Sequence, residues 1–326
     1  MFRVLSTLQK NLVYAIPGAM VLGLLGGGFV YDAGPLKQFI IPVTFLMIFP
    51  MMATLNVRSV FRGHDTKLQV VTQLVNFVVV PFVVWGLGRI FLGGDDPRYG
   101  LWAVGLFLIG VLPASGMTIS WTGFAGGNKE AATKMLVFGL VIGALAAPVY
   151  TKVFMGAVVD VDMLHMFQQI CVFVFAPLVA GLVTQTVLRR RHGNEAWQKI
   201  YKPKFPPFSA IGVVLISFLA MSLKARSILA NPGDLLTVLV PLVVFYLLNY
   251  LLLTLLGRTL FRYEEAVAMV FGVVMRDLSI ALAIAMTAFG KEGATIALLI
   301  SLAYVIQIQS AAWYVRWISR YRPTAV

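Results

Sequence analysis

Long apolar runs alternate with short polar connections along almost the whole chain. A helix needs about 20 apolar residues to cross a hydrocarbon core about 30 Å thick, and most of these runs approach that length. The pattern therefore predicts an all-α polytopic membrane protein with about ten transmembrane helices. The predicted spans lie near residues 11–30, 36–56, 67–92, 99–121, 132–157, 163–188, 207–223, 234–257, 265–289 and 293–315.

One polar and basic connection, residues 189–206, follows the sixth predicted span. Ten spans divide into two sets of five, and an odd number per set requires the two sets to have opposite orientations in the membrane. Inverted repeats of this kind are common in secondary transporters. We therefore predict a single integral membrane domain. Residues 1–188 hold spans 1–5 as the first repeat and span 6 as the start of the second, which residues 207–326 complete.

Composition and charge agree with a membrane protein. Of the 326 residues, 60% are hydrophobic and only 12% are charged, whereas a soluble domain has roughly 25% charged residues. The net charge of +13 is high, but apolar runs separate the basic residues, which argues against a nucleic-acid-binding surface. With both termini cytoplasmic, most Lys and Arg residues fall in cytoplasmic connections. This distribution predicts a multi-pass protein of the cytoplasmic (inner) membrane with both termini cytoplasmic.

Residues that carry enzymatic or metal chemistry are scarce. Cys171 is the single cysteine, and the three histidines (His64, His165 and His192) lie in polar connections. One cysteine cannot build a disulfide framework or a cysteine cluster, and no nucleophile stands beside a base in a catalytic pattern. We therefore predict no enzymatic activity, no catalytic residue, no cofactor and no metal site.

Pro113 interrupts the fourth predicted span, and Gly116 follows it three residues later. Proline removes a backbone donor and clashes with the preceding helical turn. A break at membrane depth is tolerated only where protein or a water-filled cavity satisfies the backbone groups that it exposes. Ser115 and Thr118 add hydroxyl groups at the same level. The alternative is an ordinary proline kink whose hydroxyl groups bond back to the helix.

The ninth predicted span has the matching place in the second set and contains an adjacent base and acid, Arg276 and Asp277. They are the only base and acid that the prediction places deep in a span. Ionisable groups in the hydrocarbon cost at least about 2.5–3.5 kcal/mol each and mark transport pathways or partner groups. A helix broken here would let both side chains face one cavity. The alternative is a static ion pair that locks two helices together.

Other polar side chains inside the spans are typical of hydrogen bonds between helices. Asn76 in the third span and Gln307 in the tenth are of this kind. The complete set of candidate substrate- and ion-pathway residues is Arg276, Asp277, Ser279, Asn76, Pro113, Ser115, Thr118, Gly272 and Gln307.

Several short motifs occur in order over most of the chain: LMIFPMM at 46–52, NFVVVP at 76–81, WTGFAGGNKEAA at 121–132, and YEEA at 263–266 leading into LSIALAIA at 278–285. In these motifs the chain resembles the bile acid:sodium symporter superfamily, and within it most of all the arsenite efflux permeases of the arsenical-resistance branch. The resemblance implies ten helices in two inverted five-helix repeats. It also implies a core domain built on two crossing broken helices, together with a panel domain.

The chain departs from the arsenite permeases at one position that matters for chemistry. Those proteins carry a cysteine in the fourth span, thought to offer a thiolate to trivalent arsenic, and the corresponding residue here is Ala114 with Ser115 beside it. A hydroxyl cannot replace a thiolate as a soft ligand. The resemblance implies that the acidic residue of the family's ninth span falls at or next to Asp277.

The resemblance to the sodium-coupled branch implies sodium ligands in four spans. Most of the oxygen ligands that a hard cation needs are missing at the matching positions. We expect the Arg276 guanidinium to occupy the space of a sodium ion, to neutralise Asp277 and to order the crossing broken helices. Coupling would then pass to protons at Asp277 or be absent. The matching positions are Asn76, Thr118, Ile119, Ala132, Leu136, Gly272 and Arg276.

These observations predict a secondary active transporter that moves a small solute by alternating access in a lipid membrane. A guanidinium close to helix N-termini also suits carboxylate or oxyanion groups. One alternative is a sodium:organic anion symporter of the bile-acid type. An alternative of another class is a membrane solute sensor or structural subunit that transports nothing. No nucleic-acid partner is predicted, and the oligomeric state stays open.

Overall fold

A computed structural model describes residues 11–55, 65–230 and 232–321. These residues form helices joined by short turns, and their one extended pairing is an isolated bridge between Pro113 and Arg276. The first ten residues, the last five and His64 lie outside the described residues. The α-helices are α1 (Leu12–Leu25), α2 (Ile40–Ala53), α3 (Thr66–Leu74), α4 (Val80–Phe91), α5 (Pro97–Val111), α6 (Met117–Phe124), α7 (Lys129–Met155), α8 (Met163–Ile170), α9 (Ala176–Ala196), α10 (Pro206–Ala230), α11 (Gly233–Leu260), α12 (Tyr263–Val274), α13 (Leu278–Ala288) and α14 (Gly293–Ile318).

Six helical stretches of the described residues are long and apolar enough to cross a membrane, and three shorter apolar helices accompany them. The prediction of an all-α, multi-pass membrane protein is therefore confirmed, whereas the inverted repeats and the division at 189–206 stay predictions. The long stretches are Gly34–Ala53, Thr66–Phe91, Lys129–Met155, Met163–Leu223, Gly233–Leu260 and Gly293–Tyr321, and the shorter helices are Tyr14–Val30, Pro97–Val111 and Leu278–Ala288.

The connection at 189–206 is mostly helical. A π-helical turn (Trp197–Tyr201) and a 3-10 turn (Lys202–Lys204) follow α9, which is kinked at Gly193, where φ is +84°. Helix α10 begins one residue before the seventh predicted span, 207–223, and continues beyond it to Ala230. Its last residues include a lysine and an arginine, whose charges made the predicted apolar run end early.

The described chain divides into two compact units, and the first contains residues 11–55, 162–230, 232–235 and 279–301. In this unit α10 packs along α1 and α2, and α9 packs against α2. Small residues permit the close approach, since a Cβ added at Gly212 would lie 2.5 Å from the Met47 Cα. Gln185 Nε2 donates to the carbonyls of Ala53 and Leu55, each at 3.2 Å, and so satisfies the end of α2.

The second unit contains residues 65–161, 236–278 and 302–321. Here α7 packs against α3, α5, α6 and α12, while α4 packs against α5. Every residue of α5 from 102 to 111 is buried, as is every residue of α12 from 266 to 274. Helices buried all round form the core of a membrane bundle, and both of these helices end at an interruption.

An ion pair joins the start of α3 to α7 in this unit. Lys134 Nζ contacts the Asp65 carboxylate, and Gln69 Nε2 donates to the same carboxylate at 2.9 Å. Burial opposes ionisation of Asp65, but the hydrogen bonds from Lys134 and Gln69 outweigh it and hold its pKa below the ordinary value of 3.8. Lys134 is only 3% exposed. Arg276 and Asp277 are therefore not the only buried charged side chains among the described residues, because Lys134, in the second turn of α7, is buried as well.

Candidate functional site

Two helices of the second unit end where the sequence predicts an interruption. Helix α5 ends at Val111 and α6 begins at Met117, while α12 ends at Val274 and α13 begins at Leu278. At 1.5 Å per residue, α5 and α12 are only about 22 and 18 Å long, so neither crosses the hydrocarbon core alone. The alternative of a simple proline kink at Pro113 is excluded. The chain leaves the helix entirely there, and Ala114 has a φ of +57°, which is rare for a residue with a Cβ.

The two breaks meet each other, and we call residues 112–116 together with 275–277 the crossing. Pro113 and Arg276 face each other in an antiparallel bridge. The Ser115 N–H donates to the Met275 carbonyl at 3.0 Å, and the Asp277 N–H donates to the Leu112 carbonyl at 2.9 Å. Each interruption thus satisfies backbone groups that the other exposes, which is the condition for non-helical backbone inside a membrane.

Helix α7 approaches the crossing through two glycines. A Cβ added at Gly139 would lie 3.1 Å from the Ala114 Cβ and 3.3 Å from the Pro113 carbonyl oxygen, and one at Gly143 would lie 3.1 Å from the Pro113 Cδ. The spacing is the Gly-x-x-x-Gly pattern of close membrane-helix contacts. Sequence reasoning missed these residues, although the pattern is visible in GLVIG at 139–143.

The backbone of Arg276 is held by one side chain of α14. Gln307 Oε1 accepts from the Arg276 N–H at 2.9 Å, and Gln307 Nε2 donates to the Arg276 carbonyl at 3.2 Å. The Tyr246 hydroxyl donates to the same Oε1 at 2.9 Å. Gln307 was a candidate from the sequence. Tyr246 was not, since nothing in the sequence places residue 246 opposite residue 307.

The Arg276 guanidinium is fully buried and turns away from its neighbour in sequence. Its Nη1 donates to the Gly110 carbonyl at 3.2 Å, and its Cζ lies 5.8 Å from the centre of the Phe245 ring. Among the described residues no acidic group lies within ion-pair distance of it, and its Nε and Nη2 have no hydrogen-bond partner. The expected pairing of Arg276 with Asp277 is therefore wrong. In the extended backbone of a bridge, successive side chains point to opposite faces.

Asp277 is 2% exposed and lies in the residue before α13. A carboxylate at the start of a helix is favoured by the helix dipole. Ser279 lies in the first turn of α13 and belongs to the other compact unit.

The Met135 side chain lies against Gly272. A Cβ at Gly272 would lie 2.4 Å from the Met135 sulfur and 3.4 Å from the Thr72 Cγ2. Asn76 Nδ2 donates to the Gly272 carbonyl at 3.2 Å. A thioether therefore fills the space next to the position at which the resemblance implies a sodium ligand. Thioethers are soft ligands that do not suit hard cations.

The two hydroxyl candidates lie on the α6 side of the crossing. Ser115 Oγ accepts from the Met117 N–H at 3.2 Å, at the start of α6. Thr118 is fully buried, and its hydroxyl has no hydrogen-bond partner among the described residues. The structure thus brings together Pro113, Ser115, Gly272, Arg276, Asp277, Asn76 and Gln307, with Thr118 one turn away.

The motif at 121–132 and the motif at 263–266 contact each other. The Asn128 N–H donates to the Glu264 carbonyl at 2.9 Å, and the Tyr263 hydroxyl donates to the Ala125 carbonyl at 2.9 Å. The Asn128 side chain caps α7 by accepting from the N–H groups of Glu130 and Ala131, both at 3.0 Å. These motifs join the turn between α6 and α7 to the start of α12, and so fix both broken helices at a second level.

Chemically, the site offers a buried cation, a carboxyl group, an amide clamp and hydroxyl groups. In the described part of the chain no three His, Cys, Asp or Glu side chains come together as a metal site would require. The guanidinium and the Gln307 amide are occupied by backbone groups, whereas the buried Asp277 carboxyl group can carry a proton.

Comparison with known proteins places these features in a family context. Residues 41–231 match the family model described as the sodium bile acid symporter family. The chain is 23% identical to the arsenical-resistance protein Acr3 of Corynebacterium glutamicum over 85% of this chain and 77% of that protein. It is 23% identical to Acr3 of Alkaliphilus metalliredigens over 83% and 80% of the two chains. It is 24% identical to the sodium/bile acid cotransporter 7 of Xenopus tropicalis over 83% and 78%.

Proposed function

The chain belongs to the sodium bile acid symporter family, and from that premise we propose that this membrane transporter moves a small solute by alternating access without coupling to sodium. The composition of the crossing carries this proposal. A buried guanidinium and a thioether lie where a hard coupling cation would need several oxygen ligands. Neither its relatives nor its site groups argue for an enzyme.

For the solute we propose the chemistry of the arsenical-resistance relatives, arsenite or a small oxyanion or carboxylate. No thiolate takes part, because Ala114 stands at the position of the cysteine and the one cysteine, Cys171, lies in the other unit. Recognition then depends on hydrogen bonds and charge rather than on an arsenic–sulfur bond. We place the protein in the cytoplasmic membrane as an antiporter.

For coupling we propose a proton carried by Asp277. The carboxyl group lies at the crossing, is 2% exposed and is the single buried acid among the described residues. Buried carboxyl groups in transporters act as proton relays, because burial brings the energies of the charged and neutral forms closer together. A proton at Asp277 would thus exchange against the solute.

The test is flux into proteoliposomes that contain the purified chain. Arsenite and a series of small carboxylates are compared under imposed proton and sodium gradients. We expect flux that follows the proton gradient, ignores sodium and falls at least about tenfold in Asp277→Asn, a loss worth about 1.4 kcal/mol. Asp160→Asn is the matched control, since the Asp160 side chain is 98% exposed. Sodium-driven carboxylate uptake would overturn the proposal in favour of a sodium:organic anion symporter.

A further inference from the structure

The last turn of α5 presents carbonyl groups to the crossing. Because α5 ends at Val111, its last four carbonyls have no N–H partner within the helix, and the carbonyl of Gly110 is one of them. The end of a helix that carries such carbonyls also carries a partial negative charge. In transporters with broken helices, these ends bind the coupling cation.

In this protein the positive charge next to that end of α5 comes from a side chain. Arg276 Nη1 donates to the Gly110 carbonyl at 3.2 Å, and the Phe245 ring lies 5.8 Å from the guanidinium carbon. An aromatic face attracts a cation through its quadrupole. The guanidinium thus lies between a helix dipole and a ring, and among the described residues no carboxylate lies within 4 Å of it.

The remaining contacts of Arg276 fix the side chain in this place. Gln307 holds its backbone N–H and carbonyl, and Pro113 faces it in the bridge. Arg276 is 0% exposed, as is Phe245, so the guanidinium is enclosed on all sides. Because the guanidinium is covalently tethered to the backbone, it cannot leave the protein as a bound ion can.

We infer that the Arg276 guanidinium is a resident cation: a tethered charge that permanently occupies the carboxyl-terminal end of α5 in place of an exchangeable ion. It positions the two breaks rather than coupling transport. One consequence is specific to this geometry. Shortening the side chain opens a cavity between the Gly110 carbonyl, which accepts a hydrogen bond, and the Phe245 ring, whose face attracts a cation. Free guanidinium, which is small and planar and donates hydrogen bonds, suits both groups.

The test is chemical rescue of the purified full-length chain in lipid nanodiscs. Thermal unfolding is measured for the native chain and for Arg276→Ala in millimolar guanidinium, sodium, potassium or choline chloride at equal ionic strength. We expect Arg276→Ala to have a lower melting temperature and to recover at least about 3 °C with guanidinium, in a saturable manner. The native chain should not respond, and choline, which is too bulky, should not rescue the variant.

Two further variants separate the charge from the volume of the side chain. Arg276→Met fills the space without a charge, and we expect a lower melting temperature that guanidinium does not change. Arg276→Lys keeps the charge and should be more stable than Arg276→Met. Arg258→Ala is the surface control, because the Arg258 guanidinium also contacts an aromatic ring, 4.7 Å from the centre of Tyr321, but is exposed. Guanidinium should not rescue this variant. If Arg276→Ala cannot be purified, the comparison of the Lys and Met variants decides.

The inference is overturned if Arg276→Ala is as stable as the native chain, if guanidinium does not rescue it, or if the Lys and Met variants are equally unstable. The resident cation depends on the proposed function only for its role in transport, because the experiment measures thermal stability and not flux. Sodium-driven flux with intact guanidinium rescue would refute the proposed function alone. Sodium-independent flux without rescue would refute the resident cation alone.

Discussion

The Gln307 amide contacts both backbone polar groups of a single residue. Its oxygen accepts from the Arg276 N–H and its nitrogen donates to the Arg276 carbonyl, while Tyr246 orients the amide. A residue within a helix finds such partners one turn before and one turn after it. Arg276 lies between two helices, so one side chain replaces the missing turns. The shape of the crossing therefore depends on an amide that can both donate and accept.

We expect Gln307→Leu to lower the free energy of unfolding by about 2–6 kcal/mol, because two buried backbone groups lose their partners at about 1–3 kcal/mol each. Gln307→Glu should also destabilise the protein, since a carboxylate cannot donate to the Arg276 carbonyl. Both changes should lower flux. Thermal unfolding of the variants checks this. Gln309→Leu is the control on the same helix, and an equal loss in that variant would contradict the prediction.

Some residue-scale features could be predicted from the sequence and others could not. Proline in one apolar run and a charge pair in another are locally conspicuous, so both breaks were predictable from residues 113 and 276. The partners of Arg276 were not, because Gly110 and Phe245 are ordinary apolar residues whose role arises only from the pairing of the breaks. The expectation that Arg276 pairs with Asp277 assumed a shared cavity, whereas the extended backbone separates adjacent side chains.

At the scale of elements, the crossing depends on a neighbouring helix whose contacting face carries no side chains. Gly139 and Gly143 give α7 a face without side chains, and the Pro113 turn packs directly against that face. A broken helix is wider than a regular one at its interruption, because its backbone no longer follows the helical cylinder. The glycine pair accommodates that width.

We expect Gly139→Leu to destabilise the protein by about 1–3 kcal/mol, the usual cost of overpacking a tight contact. The leucine would collide with Pro113 and Ala114 and would shift the crossing, so flux should fall as well. Gly86→Leu on α4 is the matched control, because a Cβ at Gly86 meets nothing within 4 Å. Equal melting temperatures for the two variants would show that the α7 contact does not constrain the break.

The Asp65–Lys134 pair gives a pH-dependent prediction at the same scale. Since the folded pKa of Asp65 is lowered, its ionised form stabilises the fold above the ordinary pKa of 3.8, and this contribution disappears as the pH falls through the folded pKa. Asp65→Asn should therefore be less stable than the native chain at neutral pH, because Lys134 is left buried without its partner. Breaking a fully buried pair costs about 3–5 kcal/mol, and since the Asp65 side chain is 13% exposed we expect roughly 1–3 kcal/mol. The difference should shrink only below pH 3.8.

Melting temperatures measured from neutral to acidic pH check this. Glu195→Gln is the control, because the Lys199–Glu195 pair is exposed at both ends and exposed pairs contribute little. A native–variant difference that begins to shrink near neutral pH would contradict the assigned direction of the pKa.

At the scale of the whole molecule, the charge distribution makes a prediction about topology. Basic connections on one side of the membrane predict that both chain ends lie in the cytoplasm. Reporter domains fused to the N-terminus and to the C-terminus should both be active only as cytoplasmic reporters. An odd number of spans would put the two reporters on opposite sides, so this measurement also tests whether the number of spans is even, as a count of ten requires.

The pairing of the two breaks has a consequence for how the protein is made. A nascent chain enters the membrane from its N-terminus, and 166 residues separate Gly110 from Arg276. At about 5–20 residues per second, the first interruption waits roughly 8–30 s for its partner. During that interval its backbone groups and its glycine-lined neighbour have no permanent partner. The first broken segment must therefore be sheltered by the insertion machinery or stay near the membrane surface, and ribosome stalling before residue 276 should leave it accessible to water-soluble probes.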